Sequence, residues 1–326
     1  MRFVLSLLFV YTWCISLVSS SWGDQSSYNQ MCVQHCQRET CNVRDKVEQW
    51  AESQATLDRL VGFTCQDDCK YTCMWQTVEE METRHGMATG MPQFYGKWPF
   101  VRMFGMQEPA SAVFSVLNLV TNLYMFFWFR NNVPSEAPMY NVWMLYSLTA
   151  INAWTCSTIF HTRDTDLTEM LDYFSAFLTV LTSLLVCVIR MVGVGGNNNV
   201  AAGLVIALFV AFYSNHVYNM AFIRFDYGYN MKVNVTVGVL NGLMWLGWSV
   251  LHYSDGGHVK RGVQAILILS LSVLLELLDF PPWWWSVDSH ALWHAATVPI
   301  PFLWFTFAAG DCLKLARDTG LSKKLT

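Results

Sequence analysis

Five side chains in this sequence are of types, and at spacings, that could do chemistry together. Ser157 and His161 are four residues apart, Asp172 follows eleven residues after His161, and His290 and His294 repeat the four-residue interval. Residues i and i+4 stack on one helix face, so each pair would present its groups one above the other. Two imidazoles so placed can bind one metal ion, as on the zinc-protease helix. Alone, HxxxH is a weak signal, because a solvated or core pair has the same spacing. The others also have plain readings: His161 as an interface residue, Asp172 as a helix-start carboxylate favoured by the dipole, Ser157 as a helix-packing hydroxyl. The joint reading requires that the fold bring all five to one place.

If they meet, three imidazoles with an open position make the catalytic zinc arrangement, whereas a structural site is closed by four protein ligands. Three imidazoles with a carboxylate nearby suit zinc among the divalent metals. Zinc lowers the pKa of bound water toward ~7 and polarises a carbonyl oxygen. Asp172 would orient or deprotonate that water and later protonate the leaving group. Ser157 would hydrogen-bond the developing oxyanion or the water. It has no obvious separate base, so it does not read as a covalent nucleophile.

Composition sets the elements that must position these residues. Hydrophobic residues are 53% and charged residues 13%, against about 25% charged in a soluble domain. This is the composition of a polytopic membrane protein. Seven apolar runs, about 110–129, 139–160, 168–189, 199–220, 233–251, 262–280 and 290–310, are each near the ~20 residues that cross the hydrocarbon. Turn chemistry separates them at Asn131-Asn132-Val133-Pro134, Gly195-Gly196-Asn197, Ser254-Asp255-Gly256-Gly257 and Pro281-Pro282. The expected fold class is all-α: a seven-transmembrane helix bundle over 108–312, a disulfide-rich helical lumenal domain before it, and a cytosolic tail over 313–326.

The chain opens with Met1-Arg2, an apolar run from Phe3 to Val18 and then three serines, which reads as a secretory signal peptide over 1–20. An uncleaved first membrane helix is the alternative, disfavoured by the short run. Either delivers 21–107 to the lumen, where Cys32, Cys36, Cys41, Cys65, Cys69 and Cys73 imply three disulfides. The two C-x3-C pairs would stack on facing helical arms, giving the nested set Cys32–Cys73, Cys36–Cys69 and Cys41–Cys65. A zinc site on these cysteines is the rival, opposed by the oxidising lumen. His35 and His85 read as surface residues, and 95–100 as an aromatic lead-in at the membrane interface.

Orientation has two independent supports. With a lumenal amino terminus, the cytosolic loops and tail hold Arg130, Arg190, Lys260, Arg261, Lys314, Arg317, Lys323 and Lys324. The lumenal loops hold only Arg163, Arg224 and Lys232. That is the positive-inside asymmetry. The same topology puts His161 at the end of the second run, Asp172 near the start of the third and His290/His294 at the start of the seventh. All five residues then share the lumenal end. A buried hydrolytic site there suits an ester or amide in a lipid.

These residues carry a resemblance. Ser-x3-His, an Asp eleven residues on, and His-x3-His in the last span resemble the signature of a superfamily of seven-span metal hydrolases that includes alkaline ceramidases. The six-cysteine domain, Phe94-Tyr-Gly-Lys-Trp-Pro-Phe100 and the Phe-His-Thr-Arg-Asp stretch over 160–164 resemble the post-GPI attachment to proteins factor three family along essentially the whole mature chain. The resemblance implies removal of the unsaturated sn-2 acyl chain from GPI-anchored proteins, followed by reacylation with a saturated chain. It also implies zinc as cofactor, membrane lipids and GPI-anchored proteins as partners, and an early secretory location, Golgi membrane with cycling through the endoplasmic reticulum. A ceramidase-like amidase and a non-catalytic seven-span receptor or escort are the alternatives. Against a G-protein-coupled receptor, Cys187-Val-Ile-Arg190 stands where Asp-Arg-Tyr would end the third span.

Smaller signals remain. Lys323-Lys324 at the carboxyl end matches what a retrieval coat reads, although ordinary positive-inside charge has the same look. Asn234-Val-Thr236 is a glycosylation sequon, but its place at the mouth of the fifth run argues against use. Asn118 and Asn122 share a helix face and read as interhelical hydrogen-bond partners, with a supporting role at the site open to any that face it. Trp283-Trp284-Trp285 reads as an interface anchor. No nucleic-acid partner is expected.

Overall fold

A computed structural model of the chain describes residues 21–85, 90–193 and 198–320. The segment read as a signal peptide, the side chain of His85 and Lys323-Lys324 lie outside the described residues. Every regular element described is helical, with isolated β-bridges at 94–97, 103–106 and 283–287. The chain divides into two compact units: one gathers residues up to Pro109 with Glu276–Ser289, the other Ala110–Leu275 and the chain from His290 onward.

The first unit is built on two helical arms. Helix α1 (Ser27–Cys36) starts where the Ser26 hydroxyl accepts the Asn29 N–H at 3.2 Å, an N-cap that satisfies an otherwise orphaned donor. A wide helical turn (Gln37–Cys41), α2 (Arg44–Ser53) and α3 (Thr56–Val61) lead to Gly62, whose φ of 84° ends α3 in the left-handed region glycine tolerates. Helix α4 (Cys65–His85) is the second arm. The disulfides are Cys32–Cys73, Cys36–Cys69 and Cys41–Cys65. Pairs at i, i+4 on both arms, joined in reversed order, require α1 and α4 to run antiparallel. The outermost bridge closes a separation of 41 residues, for which the chain-entropy account gives about 4 kcal/mol. Between the arms Asn29 Nδ2 donates to Thr77 Oγ1 at 3.1 Å. The segment 276–289 belongs to this unit because Asp279 accepts from Trp98 Nε1 at 2.8 Å and Gln93 Nε2 at 3.2 Å, and Val101 N–H donates to the Trp285 carbonyl at 2.9 Å.

The second unit holds α5 (Pro109–Asn132), α6 (Tyr140–Thr162), α7 (Asp166–Val192), α8 (Asn198–Tyr218), α9 (Tyr227–Leu251), α10 (Gly257–Leu278), α11 (Ser289–Thr297) and α12 (Ile300–Asp318). Among the described residues six segments are long and apolar enough to cross a membrane: 109–132, 166–192, 199–223, 227–251, 257–278 and 289–318. The chain is therefore a membrane protein, with six such spans where seven were expected. Helix α6 is the one that falls short, since it spends apolarity on Ser147, Thr149, Ser157 and His161, all buried. The seventh run also differs from its expected single helix. Pro299 has no N–H to give Ala295 and Pro301 none to give Thr297, so α11 ends before α12 begins.

The core of this unit is aromatic. Trp143 stacks on Trp245 with centroids 5.9 Å apart, and Trp304 and Phe307 meet both rings edge-on or tilted. Helices α6 and α7 are tied by Asn152 Nδ2 to Ser175 Oγ at 2.8 Å and by Thr179 Oγ1 to the Thr149 carbonyl at 2.9 Å. Near the carboxyl end of α7, Arg190 makes a fork with buried Asp311 of α12, Nε to Oδ2 at 2.7 Å and an NH2 to Oδ1 at 3.0 Å. The middle and the carboxyl end of α7 are thus fixed by polar contacts, which hold register where apolar packing alone allows sliding.

Candidate metal centre

His161 is the penultimate residue of α6, and His290 and His294 lie one above the other on α11. Their ring nitrogens converge. His290 Nε2 is 3.4 Å from His161 Nε2 and 2.9 Å from His294 Nε2, and one ligand atom from each lies within 4.8 Å of the others. His161 and His294 are each 2% exposed. An imidazole nitrogen offers either one N–H or one lone pair, so His290 Nε2 cannot serve both neighbours with a full hydrogen bond of its own. A tetrahedral zinc with Zn–N near ~2.0–2.1 Å separates its nitrogens by roughly 3.3 Å, the scale seen here. The donor set therefore fits a metal ion.

The opposite nitrogen of His294 sets its tautomer. Ser115 of α5, fully buried, donates its hydroxyl to the Ser111 carbonyl at 2.7 Å. Its oxygen is then left to accept, from His294 Nδ1 at 3.2 Å and from the Ser157 hydroxyl at 3.1 Å. With Nδ1 protonated, His294 presents an unprotonated Nε2 to the cluster, the form that ligates metal. Ser157, 5% exposed, is oriented by the same oxygen. Aromatic rings wall the site: Trp154 meets His294 edge-on at 5.3 Å, and Trp293 stacks on His290 at 5.7 Å.

The Per1-like family profile matches residues 55–312, which include all five site candidates and the three nested disulfides' second arm. The chain belongs to the Per1-like family. It is 40% identical over 319 residues to a Mus musculus protein named GPI-specific phospholipase A2-like PGAP3, covering 98% of each chain. A Homo sapiens protein of the same name is 41% identical over 305 residues, 93% of each chain. A Drosophila melanogaster protein named Post-GPI attachment to proteins factor 3 is 38% identical over 291 residues, covering 88% of this chain and 87% of its own. No solved structure matches.

In this Per1-like chain the structure thus brings together His161, His290 and His294, with Ser157 joined through Ser115. Asp172 lies half-buried in the second turn of α7. It is not among the groups gathered within 4.8 Å. The six candidate cysteines form the bridges of the other unit. Asn234 is half-buried inside α9, and its amide nitrogen donates to the Asn230 carbonyl at 3.0 Å, so the atom a glycan would need is engaged.

Two supporting residues emerge that chemistry-bearing motifs do not reveal. Ser115 is one. The other is Asn118, which read as an interhelical hydrogen-bond partner with a supporting role open if it faced the site. The Val298 N–H turns to Ala295 at 3.3 Å as α11 breaks, leaving the His294 carbonyl without its helical donor. Asn118 Nδ2 and Thr297 Oγ1 fill the gap, each at 2.8 Å. The available signal was the polar stripe Ser111, Ser115, Asn118, Asn122 at helical spacing in an otherwise apolar run, each 3% exposed or less.

Proposed function

We propose that this chain is a metal-dependent lipid hydrolase that removes the sn-2 acyl chain from the anchors of GPI-linked proteins. The observation that carries the reading is the convergence of His161, His290 and His294 Nε2 in a membrane bundle whose relatives are named GPI-specific phospholipase A2-like. Zinc is the ion we assign, on the strength of an all-imidazole donor set. Bound there, it supplies Lewis acidity toward the ester carbonyl and lowers the pKa of water toward ~7.

The chain's own residues do the rest. His161, His290 and His294 hold the ion, and Ser115 keeps the His294 proton on Nδ1. Ser157 turns its hydroxyl from Ser115 to the carbonyl oxygen as negative charge builds there. Asp172 takes the proton of the attacking water and returns it to the departing glycerol oxygen, so that one water and one ester give a free fatty acid and a lyso lipid. The walls of Trp154 and Trp293 exclude bulk water, which strengthens each of these interactions.

We read α6 as a seventh span. Its buried polar face turns inward, which permits lower mean apolarity than a lipid-facing helix needs. With a cleaved signal peptide the amino-terminal unit is then lumenal, the tail cytosolic, and the site at the lumenal end, the leaflet that holds GPI-linked proteins. The basic tail, Lys323-Lys324 included, and retrieval from Golgi to endoplasmic reticulum complete this reading.

The test is mass spectrometry of GPI acyl chains in cells lacking the protein, rescued with wild type or with His290→Ala/His294→Ala. Saturated sn-2 chains restored by wild type alone support the reading. Equal rescue by the double variant would turn it toward a non-catalytic escort. No change with either would point to a different lipid, with ceramide amide hydrolysis the next assay.

A further inference from the structure

Three tight turns in the first unit share one irregularity. Phe94–Lys97, Met103–Met106 and Trp283–Ser286 are each closed by a hydrogen bond between the end residues, at 3.0, 2.9 and 3.1 Å from the later N–H. In each, both central residues have positive φ: Tyr95 and Gly96 at 53° and 82°, Phe104 and Gly105 at 55° and 75°, Trp284 and Trp285 at 51° and 57°. That is the mirror-image turn that favours Asn-Gly, because a side chain beyond Asn or Asp is strained there. An aromatic residue holds the first central position every time.

The Tyr95 ring is used inside the unit, where Lys70 Nζ lies 5.2 Å from its centroid. The other two tips project outward. Phe104 is 75% exposed and Trp284 is 83% exposed. Among the described residues Phe104 stacks on no other ring, and Trp284 meets only Trp283, at 6.5 Å. Folding gains nothing from strained aromatics in water, so these tips are explained by what they touch outside the unit.

The segments that carry the two tips are tied together. Val101, three residues before Phe104, donates to the Trp285 carbonyl at 2.9 Å, and Trp285 packs edge-on against Trp75 at 5.0 Å. Neither turn carries a charge; Met103 and Trp283 flank the tips, exposed by 43% and 53%. Chain connectivity limits what they can reach. Phe104 stands five residues before Pro109, where the first span begins, and Trp284 six residues after Leu278, where the 257–278 span ends. At 3.3–3.6 Å per residue both tips lie within roughly 20 Å of a bilayer boundary.

We propose that Phe104 and Trp284 are a pair of aromatic fingers that seat the disulfide-bonded unit in the headgroup–acyl boundary of the bilayer. Their occupant is lipid, the medium in which amphipathic rings are favoured at that depth. Uncharged flanks fit a zwitterionic headgroup layer. This inference is independent of the metal centre and of the reaction assigned to it.

The experiment uses the full chain in phosphatidylcholine nanodiscs, with bimane on Phe104→Cys, Trp284→Cys or, as a control, Arg44→Cys, whose native side chain is 90% exposed. Unsubstituted protein reports labelling of Cys156, Cys187 and Cys312. At 104 and 284 we expect quenching by shallow-nitroxide lipid to exceed quenching by aqueous iodide by about threefold, with the order reversed at 44. Iodide quenching at 104 and 284 equal to that at 44 overturns the proposal. So does protection from both quenchers, which would mean a protein surface covers the tips. If a cysteine variant misfolds, hydroxyl-radical footprinting of unsubstituted protein is run in nanodiscs and after transfer to a lipid-free amphipol: protection of Phe104 and Trp284 about fivefold greater in nanodiscs supports it, and full modification in nanodiscs, or equal protection in both, overturns it.

Discussion

Ser115 and His294 are 179 residues apart in sequence, yet the hydroxyl oxygen of one is 3.2 Å from Nδ1 of the other. That contact fixes which ring nitrogen carries the proton, and so which one can hold a metal. Ser115→Ala removes the acceptor without opening more than a hydroxyl-sized gap. Zinc affinity should fall by about 10–100-fold, read by competition with a chromophoric chelator, while disulfides and helix content remain as in wild type.

The metal itself makes a sharper prediction. Purified wild type should hold one zinc per chain by elemental analysis, and His290→Ala/His294→Ala none, because one imidazole is too few for a stable site. The helical signal should survive, since α11 is held through the His294 backbone carbonyl by Asn118 and Thr297 and not through the ring.

Legibility in the sequence followed locality. Ser157/His161 and His290/His294 could be found because helical spacing puts each pair on one face, and their shared depth followed from counting spans. The cysteines were legible for the same reason, two C-x3-C pairs on facing arms. Ser115 was not, because a lone serine in an apolar helix looks the same whether it faces lipid or a histidine. The attachment of 276–289 to the amino-terminal unit was also hidden, resting on contacts such as Trp98 to Asp279 across 181 residues. The shortfall of α6 as an apolar span has a readable cause in hindsight: the helix that brings Ser157 and His161 to the site gives up lipid-facing character along its inner face. Pro299 and Pro301 were visible as helix breakers, but the apolar run around them masked the break.

The Arg190–Asp311 fork is nearly enclosed, with Asp311 1% exposed. Asp311→Ala leaves a guanidinium buried without its partner, and should cost about 3–5 kcal/mol of stability. Replacing both by apolar residues of similar size, Arg190→Met/Asp311→Leu, should recover most of that loss. Thermal unfolding of the purified variants in one detergent measures both. A double variant as unstable as Asp311→Ala would mean that the fork supplies more than mutual neutralisation.

The disulfide bridges predict local consequences. Cys32→Ser should free Cys73 and destabilise the first unit by about 2–5 kcal/mol. Peptide mapping without reduction should then show Cys36–Cys69 and Cys41–Cys65 retained and Cys73 alone alkylated. Scrambled partners for Cys73 would show that the outermost bridge directs the pairing of the inner two.

The account's central claim is that three imidazoles hold a metal that this chain uses to hydrolyse an anchor lipid. The most direct measurement is release of fatty acid from a purified GPI-anchored protein by the purified chain in nanodiscs, before and after chelation and again after adding zinc. The account predicts release of the sn-2 chain that stops on chelation, returns with zinc, and is absent in His290→Ala/His294→Ala under every condition. Release unaffected by chelation, or undiminished in the double variant, would contradict it.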